Sequence, residues 1–229
     1  MNISKLNIIF EDKSLVDIAF KINSSLALVG QSGSGKSLTL KAILNMLPNS
    51  MSYEIKHDEK FELIAGKSLS FVPQNPFTAL SPLTKIKDQF FTDKDEMGEL
   101  FTKVGLDIDL SLRFPPELSG GQLQRVVIAM ALSTKPKLIL LDEPTTALDP
   151  KTRVLIIELL KQLQKEYSFK MLFITHDIES ASSLCEDICV IKNGKVVESG
   201  VMESILKNPQ ELYTKTLIEA SFANRKFRE

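Results

Sequence analysis

The sequence predicts an α/β fold, a mostly parallel sheet with helices on both faces, and three observations carry that prediction. Apolar runs of strand length alternate with segments apolar at helical spacing, above all from residue 120 onward. One such run, "LILLD" at Leu138 to Asp142, is continuous rather than alternating, as in a strand covered on both faces. The stretch "SLALVGQSGSGKSLTLKAILNML" passes from strand pattern through a glycine-rich turn directly into helix pattern.

The elements follow in order. Residues 1–29 alternate apolar and polar at short range around Glu-Asp-Lys and Asn-Ser-Ser turns, which predicts short strands, the last running into Gly30. The helix "SLTLKAILNML" stops at Pro48. Strand-like pieces "FELIA" and "LSFVP" flank Gly66, and an amphipathic helical stretch is expected between Asp93 and Leu112, ahead of Pro115 and Pro116. Helix "GQLQRVVIAMALS" stops near Pro136 and precedes "LILLD". Then come helix "TRVLIIELLKQLQKEY", strand "MLFITH", helix "IESASSLCE", strand "DICVIKNG" with hairpin partner "KVVESG", and a helical tail. Repeats, low-complexity segments and flexible linkers are absent, so a single domain over residues 1–229 is expected.

Composition narrows the function classes. Hydrophobic residues at 43% and charged residues at 25% exclude both a disordered chain and a membrane-embedded one. No apolar run approaches the roughly 20 residues of a bilayer-spanning helix, and "MNISKLNIIF" lacks the pattern of a signal peptide, so a cytosolic protein is expected. A net charge of -1 gives no general attraction to nucleic acid. Cys185 and Cys189, without a second pair or adjacent His, fit neither a zinc nor a disulfide pattern and read as semi-buried packing thiols. His57 and His176 are too few and too far apart for a His-rich metal site.

Three stretches carry chemistry. "GQSGSGKS" fits G-x-x-x-x-G-K-[ST] without a gap. Gly30, Gly33 and Gly35 let the backbone amides curl around an anion at a helix N-terminus, and Gln31, Ser32, Ser34 and Leu38 are expected in the same nucleotide-binding loop. Lys36 would reach terminal phosphates and Ser37 would hold Mg²⁺. "LILLDEP" places Asp142 and Glu143 at the carboxyl end of a buried strand, where ligands bind in such folds. Asp142 would orient the Mg²⁺ shell and Glu143 would polarise an attacking water; solvated carboxylates at a capped strand end are the alternative. "ELSGGQLQR" opens a second helix with Ser119, Gly120 and Gly121, an anion site by the same physics. One nucleotide is not easily wrapped by two such sites from one compact chain, whereas a second copy supplies the other half.

"LSGGQ" between a phosphate loop and "LLDEP" resembles the signature of the ATP-binding cassette (ABC) family, from about Phe10 to about Leu217. Gln74 in "FVPQNP" resembles that family's Q-loop, "TTALD" to Asp149 its D-loop, and His176 in "FITHD" its switch histidine. The resemblance implies a P-loop NTPase cassette with a short N-terminal antiparallel β subdomain, a helical signature subdomain at about 76–135 and a tail at about 201–229. It implies ATP and Mg²⁺ as ligands, Mg²⁺ near Ser37, Gln74 and Asp142, and ATP hydrolysis with Glu143 as base, Gln74 sensing metal and water, and His176 donating to the γ-phosphate. It also implies a head-to-tail pair of cassettes, identical or not, in which Ser119, Gly120, Gly121 and Gln122 cap an ATP held by the other cassette. Phe10 resembles the aromatic that stacks on adenine; a plain core Phe is the other reading, because "INSSLAL" is short and lacks the usual turn glycine.

"QNPFTALSPLTKI", "FPPELSGGQLQR", "DEPTTALD" and the tail "ILKNPQELYTKTLIEA" resemble the subgroup that serves peptide and nickel importers, with Ser81 where Asn is usual. No cysteine cluster follows Cys189, which favours a nickel-import subunit over a peptide-import one. The resemblance implies a peripheral protein at the cytoplasmic face of the membrane that drives two transmembrane permease subunits through a groove near Gln74 to Lys85. An extracellular substrate-binding protein would be an indirect partner, and nucleic acid none. A soluble ABC ATPase acting on DNA or ribosomes is the alternative, but those carry tandem cassettes or a long coiled-coil insertion, and each motif here occurs once.

Overall fold

A computed structural model describes residues 1–223. Strands β1 (Asn2–Phe10) and β2 (Lys13–Lys21) form a hairpin closed by Glu11 and Asp12, whose φ of 45° and 61° match a turn that follows strand twist. β3 (Ser25–Val29) leads to α1 (Lys36–Ile43). The predicted helix through Leu47 ends sooner, because Asn45 turns left-handed at φ 56° while the Met46 amide donates back to the Lys41 carbonyl at 2.7 Å. β4 (Met51–His57) and β5 (Leu69–Val72) follow; "FELIA" is not a strand and contributes a single bridge, Ala65 to Leu69.

The amphipathic stretch after Asp93 is α2 (Lys94–Lys103), with the Asp93 carboxylate accepting from the Glu96 amide at 2.8 Å. It is shorter than predicted: Gly105, at φ 67°, stops it, and only a 3₁₀ turn, Ile108–Leu112, follows. Next come α3 (Gly120–Ser133), β6 (Leu138–Asp142), α4 (Pro150–Tyr167), β7 (Lys170–Thr175), α5 (Ile178–Leu184), β8 (Asp187–Lys192), β9 (Lys195–Val201), α6 (Met202–Lys207) and α7 (Leu212–Ala223). The last six tail residues lie outside the described residues. The chain is mixed α/β, with parallel strands and a separate antiparallel sheet, as the sequence predicts.

Contacts gather the chain into two units. The first joins residues 1–63 to the chain from residue 170 onward. It holds the antiparallel sheet β2-β1-β4 and the strand order β7-β3-β8-β9, parallel as far as β8. Every residue of β3 is buried, and Met171 to Ile174 and Ile188 to Ile191 complete that core. Val29 is in register with Thr175, so Gly30 and His176 leave the sheet side by side at its carboxyl edge. Cys185 and Cys189 are fully rather than partly buried here, and burial pushes the Cys189 thiol up to about 12 and that of Cys185 higher still, as for inert packing residues.

The second unit is residues 64–169. β5 and β6 are parallel with Val72 opposite Leu141, which sends Gln74 and the Asp142 and Glu143 pair out of adjacent strand ends. α3 packs on α2 and on β5, and its Leu123, Val126 and Val127 are buried. Among the described residues, no helix is long and apolar enough to cross a membrane.

Candidate functional site

In the first unit, the loop from Gly30 to Ser37 is shaped by its glycines. Gly33 and Gly35 have φ of 78° and 108°, values that a side chain would strain. A Cβ at Gly30 would lie 2.3 Å from the Ile191 carbonyl oxygen, so this position admits no side chain without moving the backbone. Gly35 caps α1 without any side-chain hydrogen bond, so the positive end of that helix is left to a ligand. Ser34 Oγ is buried and has no hydrogen-bond partner, while Lys36, also buried, donates from Nζ to the carbonyls of Gly30 (2.6 Å) and Gln31 (3.0 Å). A pocket with an unpartnered hydroxyl, an ammonium and an uncapped helix start fits a phosphate chain. Gln31, Ser32, Gly33 and Ser37 are exposed, and Leu38 is half-buried behind them.

His176 is exposed at the end of β7. Its neighbour Asp177 fixes the turn: the Asp177 amide donates to Thr175 Oγ1 (2.9 Å), and its carboxylate accepts from the Glu179 amide (3.0 Å) and the Ser180 hydroxyl (2.6 Å). These bonds fix the turn that carries His176 beside the start of the phosphate loop. Phe10 ends β1 opposite Lys13 and Met51 and is half-buried, so the core does not enclose it.

In the second unit, Gln74 and Glu143 meet. Gln74 Nε2 donates to Glu143 Oε2 at 3.3 Å, and the Thr146 hydroxyl donates to the same oxygen at 3.2 Å. Thr146 was not singled out by sequence reasoning, although it stands in the "TTALD" run three residues after Glu143. Glu143 has φ 45°, a conformation that costs a non-glycine residue about 1–3 kcal/mol and is kept where surroundings enforce it. Asp142, half-buried, ends β6 one residue earlier.

The second glycine-rich helix start differs from the first. Ser119 Oγ accepts from the Gln122 amide (3.3 Å) and the Ser119 amide donates to Gln122 Oε1 (3.0 Å), a complete capping box. Its glycines have no positive φ; instead, a Cβ at Gly121 would lie 2.7 Å from Thr152 Cγ2 on α4, whereas one at Gly120 would find its nearest neighbour, Leu148 Cδ2, at 3.9 Å. Asp149 caps α4, its Oδ1 accepting from the amides of Lys151 and Thr152, each at 3.1 Å. Thr152 holds the Asp149 carboxyl below the usual carboxylate range, through its hydroxyl first and then its amide.

Comparison with known proteins bears on what these sites do. The profile of the ABC transporter family matches residues 15–146. An oligopeptide transport ATP-binding protein, OppD, of Bacillus subtilis is 36% identical over 217 residues, 83% of this chain and 61% of that one. The metal-staphylopine import system ATP-binding protein CntD of Staphylococcus aureus is 34% identical over 238 residues, 90% of this chain and 87% of that one. Of other curated relatives the chain spans as little as 41%. Among solved structures, the dimeric post-hydrolysis state of the ATP-binding cassette MJ0796, bound to ADP and Pi, superposes with a TM-score of 0.69 at 27% identity, covering 88% of this chain and 97% of that one.

Proposed function

The chain belongs to the ABC transporter family, and on that premise we propose that it is the ATP-binding and ATP-hydrolysing subunit of an importer. The observation that carries the hydrolytic part is Glu143, bent into a left-handed conformation and gripped at Oε2 by Gln74 and Thr146. A carboxylate fixed by two donors is a positioned acceptor for the proton of an attacking water. Gln74, on the same oxygen, reports the position of that water to its own loop. His176, on its fixed turn, donates to the charge that develops on the γ-phosphate.

The phosphate loop binds and orients. Lys36 exchanges its carbonyl partners for terminal phosphate oxygens, and the amides at the start of α1 receive the remaining charge. The hydroxyl of Ser37, the amide oxygen of Gln74 and the carboxylate of Asp142 are hard oxygen donors of the kind Mg²⁺ takes. When bound, Mg²⁺ would screen the phosphates and so ease attack on them. Phe10, half-buried at its strand end, is left to stack on adenine.

We place residues 1–229 in one cassette that pairs head to tail with another, identical or related, with Ser119 to Gln122 of each closing over the ATP of its mate. The dimeric neighbour supports this reading. Two permease subunits would dock near Gln74 to Lys85, where Phe77 is 50% and Leu83 87% exposed, and the cassette would sit peripherally on the cytoplasmic face of the membrane. The cargo would be a peptide or a metal on a small chelator, nickel among the metals, consistent with relatives named for oligopeptide transport and metal-staphylopine import. These relatives do not favour action on DNA or ribosomes.

The test is Glu143→Gln. It should keep ATP binding, lower turnover by about 10²–10⁴-fold and accumulate a nucleotide-bound dimer in size-exclusion chromatography. Turnover at the wild-type rate would remove Glu143 from this role.

A further inference from the structure

The C-terminal helix reaches the phosphate loop. Tyr213, in the first turn of α7, accepts a hydrogen bond at its hydroxyl from the backbone amide of Gln31, 3.1 Å away and 182 residues distant in sequence. The Tyr213 ring lies under Lys192 Nζ, 4.6 Å from its centroid, and Lys192 ends β8 directly after Ile191, whose carbonyl backs Gly30. α7 is itself seated: the Glu198 carboxylate on β9 accepts from the amides of Gln210 (2.8 Å) and Glu211 (3.2 Å), just ahead of the helix. Thr214, next to Tyr213, is fully buried.

Gln31 is therefore gripped on both sides of its peptide frame, its amide by Tyr213 and its carbonyl by Lys36. The two grips differ in kind. The lysine has to turn from carbonyl oxygens to phosphate oxygens when nucleotide enters, which leaves the Gln31 carbonyl to its other donor, the Ser34 amide at 3.2 Å. The tyrosine grip is on the Gln31 amide and does not depend on Lys36, so it persists when the lysine turns away.

We propose that Tyr213 is a positioning residue for the phosphate loop: its hydroxyl fixes the Gln31 peptide so that the loop keeps its nucleotide-binding shape as Lys36 changes partners. The tail helix is thus part of the ATP site rather than an appendage. This rests on reading that loop as an ATP site.

The experiment uses the full chain with Tyr213→Phe, which keeps the ring and its Lys192 contact, beside Lys36→Ala as a reference for the site itself. ADP and ATP affinity are measured by titration calorimetry, and exchange of the Gln31 amide hydrogen by NMR in the nucleotide-free protein. Loss of one neutral hydrogen bond should raise Kd about two- to tenfold and speed Gln31 exchange by a similar factor. The thermal midpoint of the nucleotide-free protein should not move. If Lys36→Ala weakens binding but Tyr213→Phe changes neither Kd nor exchange, the proposal is overturned. It is also overturned if Kd rises only together with a fall in the thermal midpoint, since Tyr213 would then be a packing residue. If Lys36→Ala leaves nucleotide affinity intact, the ATP-site reading itself is what fails.

Discussion

Two helices begin with glycine-rich sequence, α1 after "GQSGSGKS" and α3 within "ELSGGQLQR", and they are built on opposite principles. At α1 the glycines are conformational: two have positive φ, the helix start has no side-chain cap, and a buried hydroxyl is without a partner. At α3 the helix start is satisfied by its own capping box, and Gly121 is steric, a gap into which Thr152 of α4 fits. The first arrangement is incomplete without an anion. The second already caps the Gln122 amide with its own side chain, so an anion meeting it finds a helix start that is partly satisfied. A shared glycine-rich appearance thus covers two physical uses, and each can be broken separately.

Gly30→Ala should have the largest effect, because the added methyl meets a backbone oxygen at 2.3 Å and the loop has to move. A displacement near 1 Å costs on the order of 10²-fold in rate, so ATP turnover measured under saturating nucleotide should fall by about that factor. Turnover within twofold of wild type would show that the loop tolerates displacement. The matching change at the other helix, Gly121→Ala, should act on stability: overpacking against Thr152 costs about 1–3 kcal/mol by urea unfolding. Thr152→Ser removes the offending methyl and keeps the hydroxyl that serves Asp149, so the double variant should recover most of that loss. Gly120→Ala, whose nearest contact is an ordinary 3.9 Å, is the internal control and should be nearly silent in stability.

Much of the first helix start was legible in sequence, and much of the second was not, for one reason. A phosphate loop is local: strand, turn and helix lie in one run of residues, and Gly30, Gly33 and Gly35 are spaced by the turn itself. The steric role of Gly121 depends on Thr152, 31 positions later on another helix, and no local pattern announces that encounter. The same distinction separates the other successes and failures. "LILLD" and "MLFITH" read as buried strands because continuous apolar runs need cover on both faces, and both are strands. "FELIA", interrupted by Glu62, also looks strand-like but finds no strand partner beyond one bridge, so it stays irregular. The helical stretch expected at "KDEMGELFTKVGL", residues 94–106, ends three residues early at Lys103, because Gly105 takes a left-handed conformation.

The cap itself supplies the next test in size. Ser119→Ala removes the acceptor for the Gln122 amide and should cost about 1 kcal/mol of stability by urea unfolding, whereas α1 has no such residue to lose. A loss below the error of the measurement would mean that the α3 start, like that of α1, is satisfied by something other than its own side chains. Ser119→Thr should restore most of the cap.

The smallest effect concerns Asp149, which sets the α4 terminus carrying Thr152 toward Gly121. Thr152 holds this carboxyl below its ordinary value in the folded chain, so the unfolded chain takes up the proton first as pH falls. The stabilisation is therefore fully present above the ordinary carboxylate value of about 3.9 and is lost as pH falls through the lower folded value. Asp149→Asn keeps a capping oxygen but does not titrate, so it separates the charge from the cap. The difference in urea midpoint between wild type and Asp149→Asn should be constant from about pH 7 to pH 5 and shrink below about pH 4. Because the group is exposed, the difference should also weaken in high salt. A difference that is flat to the acid limit would show that the carboxylate charge does nothing for this helix start, and that the fit of Thr152 against Gly121 rests on hydrogen bonding and packing alone.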